Sequence, residues 1–159
     1  MATPTPASVT RELAALSGLQ QMQAMLRGEL ARPRISQTLD FKLIEASEGR
    51  AVFEGVPQEM HLNPMGGVHG GWYATLLDSA MGCAVHTTMP PGRGYTTAEL
   101  SVNLVRAAKL DGRPLQAIGT VLHVGRQLAT AEGRIVDADG KLYAHGTTTC
   151  LVFELPPAR

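Results

Sequence analysis

Residues 68–85 read VHGGWYATLLDSAMGCAV, and the spacing of their apolar side chains decides the fold. Leu76, Leu77, Ala80, Met81, Ala84 and Val85 recur at helical intervals and supply a wide apolar face, while Gly70, Gly71 and Gly82 admit close approach of other backbone. The pattern predicts one long helix from Val68 to about Thr87, closed by the turn formers of MPPGRG. From Met60 to Gly92 the only formal charge is Asp78, with no Lys or Arg within two helical turns on either side. An ionised carboxylate taken from water without a pairing cation costs free energy. Asp78 is therefore expected to serve chemistry rather than stability.

Outward from this segment the hydrophobic period changes. Leu16, Leu19, Met22, Leu26 and Leu30 fall three and four apart and predict an amphipathic helix from about Arg11 to Leu30, closed by Pro33. Residues 1–8, with Pro4 and Pro6, are expected to be loose, so that 1–34 form a tail and helix preceding a domain over 35–155. SQTLDFKLIEA (36–46) and RAVFEGV (50–56) flank Ser47-Glu48-Gly49 and predict a hairpin. After the long helix, Thr96–Leu104 alternates, with Ala98, Leu100, Val102 and Leu104 on one face and Thr97, Glu99, Ser101 and Asn103 on the other. Leu115–Val124, Leu128–Val136 and Lys141–Phe153 follow as strands, separated by Gly125-Arg126-Gln127 and by Asp137-Ala138-Asp139-Gly140. A long apolar helix beside a mostly antiparallel sheet is hidden only if the sheet wraps it, which gives an α+β architecture. Two sheet edges remain, and pairing with a second copy would cover one.

The chain has 159 residues, with 14 basic side chains balancing 14 acidic ones, which suits one domain and gives no electrostatic footprint for nucleic acid or an anionic membrane. No apolar run is long enough to span a bilayer, and the start lacks the basic and apolar regions of a signal peptide, so a cytoplasmic protein is expected. Cys83 and Cys150 stand without metal or disulfide spacing and read as small buried hydrophobes. His61, His86, His123 and His145 are scattered, and His61 with His69 is weak support for a metal ion, so none is expected. Phosphate-loop, dinucleotide and nucleophile-elbow motifs are absent.

Asn63, His69, Gly70, Gly71 and Asp78 stand in HLNPMGGVHGGWYATLLDSAMG (61–82) as N-x5-HGG-x6-D. This pattern, with GRGYTTAELSVNLVRAAK and HVGRQLATAEGRIVDADGKLYAHGTTTC further on, resembles the hotdog-fold acyl-CoA thioesterases of phenylacetate degradation, from about Thr38 to Phe153. The N-terminal helix lies outside that shared core. The resemblance implies a sheet wrapped around the long helix, a site between two subunits, assembly as a dimer or dimer of dimers, and an acyl-CoA substrate whose CoA is no separate cofactor. It also implies that Asn63 positions water or the carbonyl, that His69 orients the helix start, and that Thr97 stands near the attacking water, with Thr96 as a competing register. Gly71, Gly125 and Arg126 are expected along the substrate and CoA path, with Arg93, Arg106 and Arg134 as further candidates for the phosphates.

Physical chemistry supplies the roles independently. The Gly70 N–H, in the first turn, has no intrahelical partner and lies at the positive end of the helix dipole, which suits a polarised thioester carbonyl. Asp78 would deprotonate a water or attack the thioester carbon itself. Eight residues of helix separate the two by about 12 Å, so one chain cannot bring both to one carbonyl. Two antiparallel copies of the helix can. Each residue also has a plainer reading: a tight turn for Gly70-Gly71, an Asn-Pro turn for Asn63, a structural histidine for His69, a strand threonine for Thr97 and a solvated surface side chain for Arg126. A dehydratase or hydratase of acyl thioesters and a non-catalytic acyl-CoA-binding module are the competing functions. Trp72 and Tyr73 would either line a pocket for small aromatic or short-to-medium acyl groups or pack on the sheet.

Overall fold

The computed structural model describes residue 13 and residues 15–155. The elements run α1 (Gly18–Leu26), α2 (Arg34–Thr38), β1 (Phe41–Ser47), β2 (Arg50–Gly55), a 3-10 turn (Glu59–His61), α3 (Gly70–His86), β3 (Arg93–Leu104), β4 (Leu115–Val124), β5 (Leu128–Val136) and β6 (Leu142–Glu154). The six strands form one antiparallel sheet in the order β1-β2-β4-β5-β6-β3, with β1 and β3 as its edges. The sheet curls around α3, whose Leu76, Leu77, Ala80, Met81, Ala84 and Val85 are fully buried. This is the wrapped α+β arrangement expected from the sequence.

Glycine determines how closely the helix seats. Gly119 on β4 pairs with Gly133 on β5, which pairs with Gly146 on β6, so three strands place glycines in one row. An added Cβ at Gly119 would lie 2.3 Å from the Ala80 carbonyl oxygen, and one at Gly133 would lie 2.8 Å from Met81 Cγ. At Gly119 the α3 backbone rests almost directly on the sheet. Gly146 instead faces the Ser101 carbonyl of β3, 2.3 Å from where its Cβ would stand, which draws the edge strand inward.

The N-terminal region departs from the expected pattern. The anticipated start near Arg11 and the loose residues 1–8 lie outside the described residues. Helix α1 spans only Gly18–Leu26, so Leu16 and Leu30 are not helical. Ser17 and Gln20 form a reciprocal capping box at the start. At the end Gly28 takes φ +76, its N–H bonds to Met25 O and that of Glu29 bonds to Ala24 O, a Schellman closure that stops the helix before the apolar period runs out. Pro33 therefore does not end α1. It precedes α2 instead, its carbonyl accepting from the Ser36 and Gln37 N–H groups, so the strand expected from Ser36 begins only at Phe41.

Strand β3 carries the second departure. Its register against β6 shifts between Thr97 and Glu99, leaving Ala98 as a bulge. Thr97 pairs with buried Cys150, while Leu100, Val102 and Leu104 pair with Thr148, Gly146 and Ala144. Thr97 and the three later apolar residues thus share the face toward α3, although strict alternation would put them on opposite faces.

Because the Gly119 Cβ position is occupied by helix backbone, Gly119→Ala is expected to destabilise the fold by about 1–3 kcal/mol or more. A lowered urea midpoint with an unchanged slope would show it.

Candidate active site

The helix start is built by His69. Its extended backbone caps α3, its Nδ1 accepts the Gly71 N–H at 2.8 Å, its carbonyl accepts from Trp72 at 3.0 Å and its own N–H donates to His61 O at 2.8 Å. Two of the amides that open the helix are thereby engaged. The Gly70 N–H has no acceptor among the described residues. Leu104 lies over it, with Cδ1 2.9 Å from where a Gly70 Cβ would stand. The Gly71 amide, expected on the substrate path, is held by the imidazole instead.

Asn63 closes the preceding loop. Its Oδ1 accepts from the N–H groups of Met65 (3.0 Å) and Gly67 (3.2 Å), and its backbone N–H donates to Gly67 O. The side-chain carbonyl is engaged in the turn, and the Nδ2 group has no protein partner among the described residues.

Asp78 emerges from α3 toward the edge strand, where Thr97 Oγ1 donates to its Oδ1 at 2.8 Å. Thr96 pairs with Leu151 on the other face and is exposed. Around this carboxylate the other ionisable groups are held neutral. Burial, reinforced by the Asp78 charge, pushes the Cys83 thiol up to about 12 against the opposing Tyr95 hydrogen bond. Burial likewise raises Cys150 and Tyr95. Neither thiol is a nucleophile at neutral pH. Asp78 is the remaining candidate for the chemistry in this cluster.

Gly125 and Arg126 lie in the turn joining β4 and β5, where the Gly125 N–H donates to Leu128 O at 2.7 Å and the Arg126 side chain is exposed. Arg93, at the start of β3, donates to the Arg126 carbonyl, so these two arginines share one end of the sheet. Arg106 donates to Leu142 O and lies 5.9 Å from the Tyr143 ring centroid at the other end, and Arg134 pairs with His145 across β5 and β6. Trp72 and Tyr73 are core residues: the indole N–H donates to Leu39 O and the phenol accepts the Ala108 N–H. Among the described residues no three His, Cys, Asp or Glu side chains form a metal-binding group.

Residues 65–144 match the model of the thioesterase superfamily. The chain belongs to this superfamily. Acyl-coenzyme A thioesterase 13 of Homo sapiens is 32% identical over 108 residues, which cover 67% of this chain and 76% of that protein. An esterase-like protein of Caenorhabditis elegans is 36% identical over 107 residues, but these span only 62% of its length and 67% of this chain. The crystal structure of a phenylacetic acid degradation-related protein from Ralstonia eutropha superposes with a TM-score of 0.73 at 29% identity, covering 82% of this chain and 98% of that one. The wrapped sheet is accordingly the hotdog fold of the superfamily, and thioester hydrolysis is the chemistry that membership carries.

Two histidines outside the Asp78 cluster, His61 buried and His86 half-buried, set a pH limit on the fold. His61 stacks on Trp72 with its Nε2 unpartnered, and His86 bonds to Gln21 Oε1 with its Nδ1 unpartnered. Burial lowers both below the ordinary value of 6.5, so the unfolded chain takes up protons first. Stability is therefore complete above that value and is lost as pH falls from it toward the folded-state values. His86→Gln, which keeps a donor for Gln21, is expected to flatten the decline in Tm between about pH 7 and pH 5.

Proposed function

We propose that the protein hydrolyses acyl-CoA thioesters in a composite site made by two copies of the chain. The observation that carries this reading is the placement of Asp78 and the free Gly70 amide eight residues apart on one helix. At about 1.5 Å per residue they cannot converge on one carbonyl from within a chain. Both lie on the side of α3 that faces edge strand β3, where Leu100 is 37% and Leu104 51% exposed although they point toward the helix. A second copy related by a twofold axis would cover these residues and lay its own α3 antiparallel, with its Gly70 amide opposite this chain's Asp78.

In such a site the Gly70 N–H and the positive end of its helix polarise the thioester carbonyl and hold the oxyanion as it forms. Thr97 fixes Oδ1 of Asp78, leaving Oδ2 for the substrate side. Asp78 then either removes a proton from the attacking water or adds to the carbonyl carbon to give an anhydride that water opens. In both routes the C–S bond breaks, the CoA thiolate takes up a proton, and the acyl group leaves as the free acid. No further cofactor takes part. A dehydratase would need a histidine as base opposite the carboxylate, and the His69 ring is held in the helix cap.

CoA is oriented by the Arg126 end of the sheet, where this exposed guanidinium offers a fork suited to phosphate oxygens, while Arg93 is engaged by the Arg126 carbonyl and Glu154. The two free thiols, Cys83 and Cys150, fit a reducing compartment such as the cytoplasm, where CoA esters would be met.

Gly70→Pro removes one donor while keeping the helix start, since proline is tolerated at the first helical position and His69 already has the extended backbone it requires. It is expected to lower kcat about 10²–10³-fold, and Asp78→Asn is expected to abolish turnover. Heterodimers of the two variants hold one intact site and should regain near half the wild-type rate; no recovery would place the site within one chain. Arg126→Ala should raise KM for acyl-CoA severalfold and leave acyl N-acetylcysteamine thioesters, which lack phosphates, unaffected.

A further inference from the structure

Strand β6 sets a thiol beside the threonine that holds Asp78. Cys150 is fully buried, faces α3 and stands directly opposite Thr97 in the β3–β6 ladder. Side chains opposed on neighbouring antiparallel strands have Cβ atoms about 4.5–5.5 Å apart, close enough to interact. On its other flank Cys150 pairs with Ala129, which has no polar side-chain atom, and its same-face neighbours along β6 are Thr148 and Val152. The thiol is within hydrogen-bonding reach of two groups, the hydroxyls of Thr148 and Thr97, and lies in the field of the Asp78 carboxylate.

Counting protons gives the direction of these contacts. The Thr97 hydroxyl donates its one proton to Asp78 Oδ1 at 2.8 Å, and the Thr148 hydroxyl donates its own to the Glu99 carbonyl at 2.8 Å. Both oxygens are left with lone pairs alone. Burial pushes the Cys150 thiol up from its ordinary value, so it stays protonated at neutral pH and sulfur is the donor. Of the two acceptors the Thr97 oxygen is the stronger, because an O–H that donates to an ionised carboxylate is polarised and its lone pairs accept better in turn. Cys83, the other thiol, is hydrogen-bonded to Tyr95.

We propose that Cys150 is a positioning residue for the hydrolysis, its S–H donating to Thr97 Oγ1 and so holding the Thr97 hydroxyl on Asp78. The proposal rests on the hydrolase reading above and adds to it a residue that acts only through Thr97. A threonine exchanges its hydroxyl and methyl positions by rotating χ1 between staggered wells. A donor on the facing strand favours the rotamer that presents Oγ1 and polarises the bond that Thr97 makes to Asp78. The carboxylate is thereby held by Oδ1, with Oδ2 left for the substrate side.

The test is a double-mutant cycle. kcat and KM are measured with acetyl-, hexanoyl- and phenylacetyl-CoA for the wild type, Cys150→Val, Cys150→Ser, Thr97→Val and the Cys150→Val/Thr97→Val pair. Cys150→Val removes the donor and keeps an apolar side chain of similar size; kcat should fall about two- to tenfold, the range of one hydrogen bond, with KM unchanged. Cys150→Ser, which keeps a donor, should restore most of the loss. In the Thr97→Val background Cys150→Val should change kcat no further. The Cys150 S–H stretching band, identified in the infrared by its loss in Cys150→Ser, should move to higher frequency in Thr97→Val. Cys150→Ala enters the same cycle with the same expectations should Cys150→Val fail to fold. An equal loss in both backgrounds, an effect on KM alone, or a band that Thr97→Val leaves in place would overturn the role of Cys150 and leave the hydrolase standing. Absence of turnover by the wild type with all three thioesters would instead overturn the hydrolase reading and this inference with it.

Discussion

The contact on which the molecule depends is backbone against backbone, where α3 rests on Gly119. A helix that is apolar on almost every side can be removed from water only by a surface that follows its curvature. A sheet with ordinary side chains at the contact would stand too far off to do so. Gly119 and Gly133 leave out the side chains where α3 is seated on the sheet, and Gly146, beside Gly133, does the same where β3 lies against β6. Asp78 emerges on the side of α3 that faces the edge strand β3.

A single bulge reconciles two demands on that edge strand. Upstream of Ala98 the α3-facing positions are Tyr95 and Thr97, which meet Gly82 and Asp78; downstream they are Leu100, Val102 and Leu104. Continued alternation would have turned Glu99 toward the helix beside Asp78, two carboxylates without a cation, and sent the leucines outward. The extra residue turns Glu99 away and keeps the apolar run facing inward. Thr97, just upstream, gives Asp78 its hydrogen-bond donor, which offsets part of the cost of holding a charge away from lysine and arginine.

Much of this was legible in the chain because it is local. The limits of β4 and β5 and most of α3 follow from periodicity and turn residues, and Asp78 is conspicuous as a lone charge in an apolar run. What escaped reading falls into two kinds. Capping overrode periodicity at α1, where Ser17 with Gln20 and the left-handed Gly28 outweigh the apolar spacing that runs on to Leu30. Cross-strand facts were invisible by their nature: the glycine row, the bulge at Ala98 and the resulting choice of Thr97 over Thr96 exist only once register is fixed. Arg93 joins Arg126 for the same reason, since the sheet brings β3 beside the β4–β5 turn across 33 residues of sequence.

The placement of reactive groups on α3 ties activity to assembly in the proposed dimer. A helix offers an anion-stabilising amide only at its N-terminus, and a carboxylate beside that terminus would itself occupy the amide and fall under its positive field. Setting Asp78 two turns downstream keeps the Gly70 N–H vacant and the carboxylate available. The consequence is that one subunit holds half of each site, and the exposed Leu100 and Leu104 that would drive pairing border the same opening. The surface that stabilises the dimer and the cleft that binds the thioester are then formed in one event. In that proposed arrangement neither half of the machinery would act alone on substrate.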